Sequence, residues 1–235
     1  IVLDTTPPSF PRVEIAGGAA WLTSPDGLAA VRFSASDLLS GVRKLRLTTD
    51  GSDPAGAAPQ DFVERLSLPL GAQDGPKTVR AVFVDGAGNA CAPVEASIVR
   101  DTLPPSLATP ALDFVDVAPG EPVHSLAVTL RFNLAEAEPP AQMAVSNSSG
   151  TQAGPWEPFR PTLSWLLQPG ADGTRTVFAT LRDAAGNSTG EFEASLEVDQ
   201  TPPGSPMILV AGDARAVQGD GLQALSLAAD GADEM

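Results

Sequence analysis

The 235-residue chain carries 29 acidic against 14 basic side chains, a net charge of −15, with 43% hydrophobic and 18% charged residues. That balance excludes nucleic acid and anionic membrane surface as partners, because a phosphate backbone would be repelled; the hydrophobic share excludes a disordered chain, and no apolar run approaches the roughly 20 residues of a spanning helix. One cysteine, Cys91, excludes an intrachain disulfide, and 23 prolines with 22 glycines point to frequent turns, which favour strands over helices.

In chain order, the first landmark is DTTPPS at 4–9, with near copies DTLPPS at 101–106 and DQTPPG at 199–204. The copies are 97 (101 − 4) and 98 (199 − 101) residues apart. A fixed period predicts an array. Its boundaries put the tail of a preceding unit or a linker at 1–3, repeat one at 4–100, repeat two at 101–198 and the truncated start of repeat three at 199–235. Two adjacent prolines set φ near about −65° and push the residue before each out of the helical region, so the opening string is stiff and extended.

Next comes DGLAAVRFSAS (26–36), where Val31, Phe33 and Ala35 face one way. LAVTLRF (126–132) offers Val128, Leu130 and Phe132 at the same place, and DGLQALSLAAD (220–230) offers Leu225, Leu227 and Ala229. A period of two predicts a strand with one face in a core. Short segments bounded by turn residues follow, KLRLTTDG (44–51) and QMAVSNSSG (142–150), then FVERLSLPL (62–70) and FRPTLSWLL (159–167). Each unit then carries its strongest match, DGPKTVRAVFVDGAGN (74–89) against DGTRTVFATLRDAAGN (172–187). Val79, Ala81 and Phe83 alternate with outward positions there, as do Val177, Ala179 and Leu181. About seven short strands per unit predict an all-β fold of tandem immunoglobulin-like β-sandwiches arranged end to end.

The D-x-T/L-P-P opening, the late hairpin DG-x-[KR]-T-V … D-x-A-G-N and, in repeat two, PWEPFRPTLSW (155–165) resemble bacterial immunoglobulin-like or fibronectin III-like repeats of large cell-surface and adhesin proteins. Repeat one has APQDFVERLSL (58–68) in place of the tryptophan-bearing stretch, so a role for Trp156 and Trp165 need not extend to it. The antibody Cys…Trp…Cys pattern is absent. The resemblance implies a non-enzymatic stalk or spacer of a bacterial surface or secreted protein. Its partners would be neighbouring repeats of the parent chain, and its place extracellular. Two alternatives stand beside it: a carbohydrate- or protein-binding module, and accessory repeats of a larger secreted enzyme. The chain opens at IVLDTT without a charged, apolar leader and reads as a piece of a longer protein.

In a sandwich, the turn before the last strand lies at the same pole as the start of the first. That predicts Asp85 and Asn89 near Asp4, and Asp183 and Asn187 near Asp101. Asp37 joins the first group, where repeat two has NLAEAE (133–138) instead. These oxygens could bind calcium at the junction, or the aspartates could hydrogen-bond their own turns with Gly88 or Gly186 at positive φ. Turn chemistry alone explains the string and no EF-hand spacing appears, so no cofactor is expected and calcium stands as the alternative.

Other candidates weigh towards structure. GNSTG (186–190) fits a nucleophile-elbow pattern around Ser188 but lies in a turn between antiparallel strands, and repeat one has GNACA there. His124, the sole histidine, reads as a surface loop residue, and Cys91 as a small half-buried side chain. Trp156, Phe159 and Trp165 could form an aromatic face for stacking on sugar rings, against a preferred packing role. Asn147 and Asn187 begin glycan acceptor patterns, and Lys44 and Lys77 sit where no intramolecular cross-link is predicted. No catalytic residue emerges, and the chain reads as a non-enzyme.

Overall fold

The alternation of apolar side chains organises everything that follows in the structure, a computed structural model describing residues 3–118, 120–135, 139–150, 154–202, 204–210 and 225–230. The first sandwich uses β1 (Ser9–Ile15), β2 (Trp21–Leu22), β3 (Leu28–Ser36), β4 (Val42–Thr48), β5 (Gln60–Asp61), β6 (Arg65–Pro69), β7 (Gly75–Asp85) and β8 (Val94–Arg100). One sheet has the order β1-β3-β6 and the facing one β2-β8-β7-β4-β5. Neighbours pair antiparallel except β2 and β8, which run parallel. The inward residues Val31, Phe33, Leu45, Val79, Ala81 and Phe83 close one hydrophobic core. Phe83 meets Phe33 and Phe62 edge-on, with ring centroids 6.5 and 5.9 Å away.

The second sandwich repeats the plan with β9 (Leu107–Phe114), β10 (Ala127–Leu134), β11 (Gln142–Ser146), β12 (Glu157–Pro158), β13 (Thr162–Leu166), β14 (Gly173–Arg182) and β15 (Phe192–Val198). Its sheets are β13-β10-β9 and β12-β11-β14-β15. Leu130, Met143, Leu167, Val177, Ala179 and Leu181 anchor a second, separate core. Thus the inward positions expected in 79–83 and 177–181 are buried on both late strands, while Val82, expected on the outward face of β7, is buried too, at 4% exposure. Beyond them, β16 (Gly204–Val210) pairs antiparallel with β17 (Leu225–Asp230), as β1 pairs with β3. The facing expected of Leu225, Leu227 and Ala229 lies outside the described side chains.

The chain is therefore all-β, built as tandem β-sandwiches. Among the described residues no α-helix occurs, and no helix is long and apolar enough to cross a membrane. Tight turns decide where loops can meet. Gly27, at φ +68°, sits so near the neighbouring turn that an added Cβ would lie 2.4 Å from the Gly71 carbonyl oxygen, which makes glycine obligatory there.

Candidate functional site

Three loops converge at the pole where the first sandwich begins. The segment before β1 brings Asp4, the β3–β4 loop brings Asp37, and the end of β7 brings Asp85. One carboxylate oxygen from each lies within 4.8 Å of the other two. The loops are tied together by backbone, since the Gly86 amide donates to the Gly41 carbonyl at 3.0 Å. A side chain at Gly86 would place Cβ 2.8 Å from the Ser40 carbonyl oxygen, so only glycine permits this approach.

Each carboxylate is positioned by its own turn. Asp37 Oδ1 accepts from the amides of Leu39, Ser40 and Gly41 at 3.2, 2.9 and 2.8 Å. Asp85 Oδ1 accepts from the Ala87 and Asn89 amides at 2.9 and 2.8 Å, while its Oδ2 accepts from Asn89 Nδ2 at 2.8 Å. The same Nδ2 donates to the Asp4 carbonyl oxygen at 3.2 Å, which fastens the incoming chain to the turn. Asp4 Oδ1 accepts from the Thr6 amide at 3.0 Å. Its Oδ2 is buried without a hydrogen bond of regular geometry, and the Ser40 hydroxyl is the neighbour that acts on the carboxylate.

These donors set the charge state. The Ser40 hydroxyl and the Thr6 amide hold the Asp4 carboxyl below its ordinary range. Burial pushes the Asp85 carboxyl up, and the Asn89 side chain and amide, with those of the turn, more than offset it, leaving it low. The pole therefore gathers three carboxylates, one oxygen from each within 4.8 Å of the others, with Asp4 and Asp85 held low and Asp85 only 3% exposed. Like charges so placed repel one another unless a cation intervenes, and an all-oxygen donor set suits a hard divalent ion.

The second sandwich repeats the turn. Asp183 Oδ1 accepts from the Gly186 and Asn187 amides at 2.7 and 2.9 Å, its Oδ2 from Asn187 Nδ2 at 2.9 Å, and that Nδ2 also donates to the Asp101 carbonyl oxygen at 3.3 Å. The seven residues singled out from the sequence thus fall into two groups, Asp4, Asp37, Asp85 and Asn89 at one pole, and Asp101, Asp183 and Asn187 at the other. Glu136 and Glu138, in the stretch that replaces Asp37, lie outside the described residues. Both turns are Asx arrangements, with Gly88 at φ +94° and Gly186 at φ +96°.

A set of linker contacts has no counterpart in the sequence reading. Asp74 Oδ2 accepts from the Thr102 amide at 3.1 Å, and both Asp74 oxygens accept from the Thr102 hydroxyl at 3.2 and 3.1 Å. Asp74 is itself paired with Arg100, whose guanidinium also reaches the carbonyls of Ala72 and Pro25 at 2.7 and 3.0 Å. Asp172 treats the next linker alike, accepting from the Gln200 amide at 2.7 Å and from the Thr201 hydroxyl. The signal was present: a DG pair stands 27 residues before the linker aspartate in both units (101 − 74 and 199 − 172).

The remaining candidates have structural occupations. Phe159 packs on the second core, 6.0 Å from Phe132, whereas Trp156 stays 37% exposed with the Arg182 guanidinium 4.3 Å above its ring. Trp165 lies against the same core and donates Nε1–H to Asn147 Oδ1 at 2.7 Å, and Asn147 Nδ2 donates to the Leu166 carbonyl. The acceptor nitrogens of both glycan patterns, at Asn147 and Asn187, are therefore engaged in hydrogen bonds. His124 Nδ1 lies 2.7 Å from the Asp199 carbonyl oxygen, Ser188 bridges to Arg182 in the β14–β15 turn, and Cys91 Sγ accepts from the Phe83 amide at 3.3 Å. Cys91 is 9% exposed, deeper than the half-buried position expected of it.

No family model matches the chain, and no curated protein does. Among solved structures, similarity extends to fibronectin(III)-like modules of Clostridium thermocellum CbhA, at 12% identity over 80% of this chain and 94% of that one, with a TM-score of 0.40. It extends also to the central fibronectin-III array of RIM-binding protein, at 15% identity, 96% and 80% coverage and a TM-score of 0.28. The chicken CNTN1 FN1–FN3 domains match at 12% identity, 96% and 86% coverage and a TM-score of 0.29.

Proposed function

We propose that the chain is a non-enzymatic spacer in which 4–100 and 101–198 are successive immunoglobulin-like units, holding an adhesive or effector domain of a bacterial surface or secreted protein away from its anchor. The observation that carries this reading is the pairing of two separate cores through a short proline-bearing linker whose Pro105 is buried. Each unit buries its own apolar faces, so the unit can be repeated without redesign, and the prolines limit how the next one can lean. Small-angle scattering of the full chain tests it. A spacer gives a single extended envelope, whereas profiles that only an ensemble of bent shapes can fit, together with tight binding on a glycan array lost in Trp156→Ala, favour a recognition module.

A second reading is favoured by the buried, unbonded Oδ2 of Asp4 among three carboxylates. Here the first pole takes a hard divalent cation, calcium by its donor chemistry, with Asp4, Asp37 and Asp85 as ligands and Asn89 holding two of them in place. Calcium then raises the thermal midpoint of the first sandwich relative to chelator, and Asp37→Asn abolishes the rise. Identical midpoints with and without calcium would remove this reading and leave the spacer intact.

A further inference from the structure

We infer that Asp74 and Asn187, one from each sandwich, form a two-sided clamp on the linker residues Asp101 and Thr102, and that this clamp sets the direction in which the second unit leaves the first. The inference rests on the spacer reading and says what makes such a spacer straight. No described strand of one sandwich pairs with a strand of the other. Beside the linker the two units leave an open cleft of about 400 Å³ between Trp21, Val99 and Arg100 on one side and Pro139, Pro140 and Asp183 on the other. Sheet pairing therefore does not set the angle, and bonds to the linker backbone must.

Those bonds come from both directions. From the first sandwich, the Leu22 carbonyl accepts from the Asp101 amide at 3.1 Å and Asp74 takes the amide and hydroxyl of Thr102. From the second, Asn187 donates to the Asp101 carbonyl at 3.3 Å. Three successive backbone groups, the Asp101 N–H, the Asp101 C=O and the Thr102 N–H, are thereby held before the prolines begin. Fixing the dihedrals of these residues removes the freedom that would otherwise let the junction swing.

The device recurs with a substitution that preserves it. At the next linker the amide bond to Asp172 keeps its register, on Gln200, while the threonine has moved one place to 201 and its hydroxyl still reaches the same carboxylate. The two amide bonds each span 28 residues. On the entry side, Asn89 grips the Asp4 carbonyl as Asn187 grips that of Asp101. Asp74 itself is seated by Arg100, which is 3% exposed, so the first jaw of the clamp stands on a buried support.

The clamp is a positioning device, and its test must read orientation apart from stability. Spin labels at Ser67→Cys and Ser164→Cys, both exposed strand positions, report the distance between the sandwiches in the full chain while Cys91 stays buried. The parent protein gives one narrow distance distribution. Thr102→Val combined with Asn187→Ala at least doubles its width while both sandwiches remain folded, and Thr102→Ser in place of Thr102→Val recovers half of the loss. A narrow distribution in the double variant overturns the clamp and leaves the spacer standing. A broad distribution in the parent protein overturns the spacer reading itself, and the two failures are thus told apart.

Discussion

Asp74 and Asp85 show how single side chains couple this fold to pH. Burial raises the Asp74 carboxyl, and the Thr102 amide and hydroxyl with Arg100 more than offset that, so both aspartates titrate below the ordinary value. A carboxyl lowered in the folded state contributes stability that is complete above its unfolded pKa of about 3.9 and is lost as pH falls through the folded value. We therefore expect thermal midpoints that are level from about pH 6 to 8 and fall below about pH 4; a midpoint that rises on acidification would contradict the assignment. The D-x-A-G-N turns were readable from sequence because their donors and acceptors lie within four residues of each other. The Asp74 contact was marked only by a repeated DG spacing with no local partner, because a 28-residue separation is closed only when β7 and β8 have paired. Phe159 shows an intermediate case: packing was the preferred reading of its sequence, and the structure adds the partner, Phe132 from β10.

At the level of strands, legibility followed alternation, which length helps to display but does not guarantee, since the eight-residue β9 shows none. β3, β7, β10 and β14 each run eight residues or more, enough for a period of two to declare which face is inward. The two-residue strands β2, β5 and β12 carry no period, and nothing in Trp21–Leu22 announces a parallel partner on β8. β7 is the strand on which the first core depends, since Phe83 is fully buried, opposes Leu45 across the sheet and meets two other rings. Phe83→Ala removes that packing and leaves a cavity, a loss of about 3–5 kcal/mol. Calorimetry is expected to show the first sandwich melting far earlier and the second unchanged, because the two cores share no residue. Equal shifts in both would mean that the cores act as one.

Across the whole molecule, the two described sandwiches share the Asx turn, the linker bonds and one further contact. The parallel contact near the exit of each sandwich is among the duplicated features. In the first, the Val99 amide donates to Ala20 at 3.4 Å and the Asp101 amide to Leu22 at 3.1 Å; in the second, the Val123 amide donates to Glu197 at 2.9 Å and the Asp199 amide to Val123 at 3.0 Å. Tension drawn from one end of the chain to the other slides these parallel segments past each other, so their rungs are loaded together rather than peeled singly. Val123→Pro deletes one rung of the second sandwich, and single-molecule pulling should find that unit yielding at lower force while its neighbour yields as before. For the proposed spacer, this wiring shares a lengthwise load between two rungs at once instead of presenting them one after another.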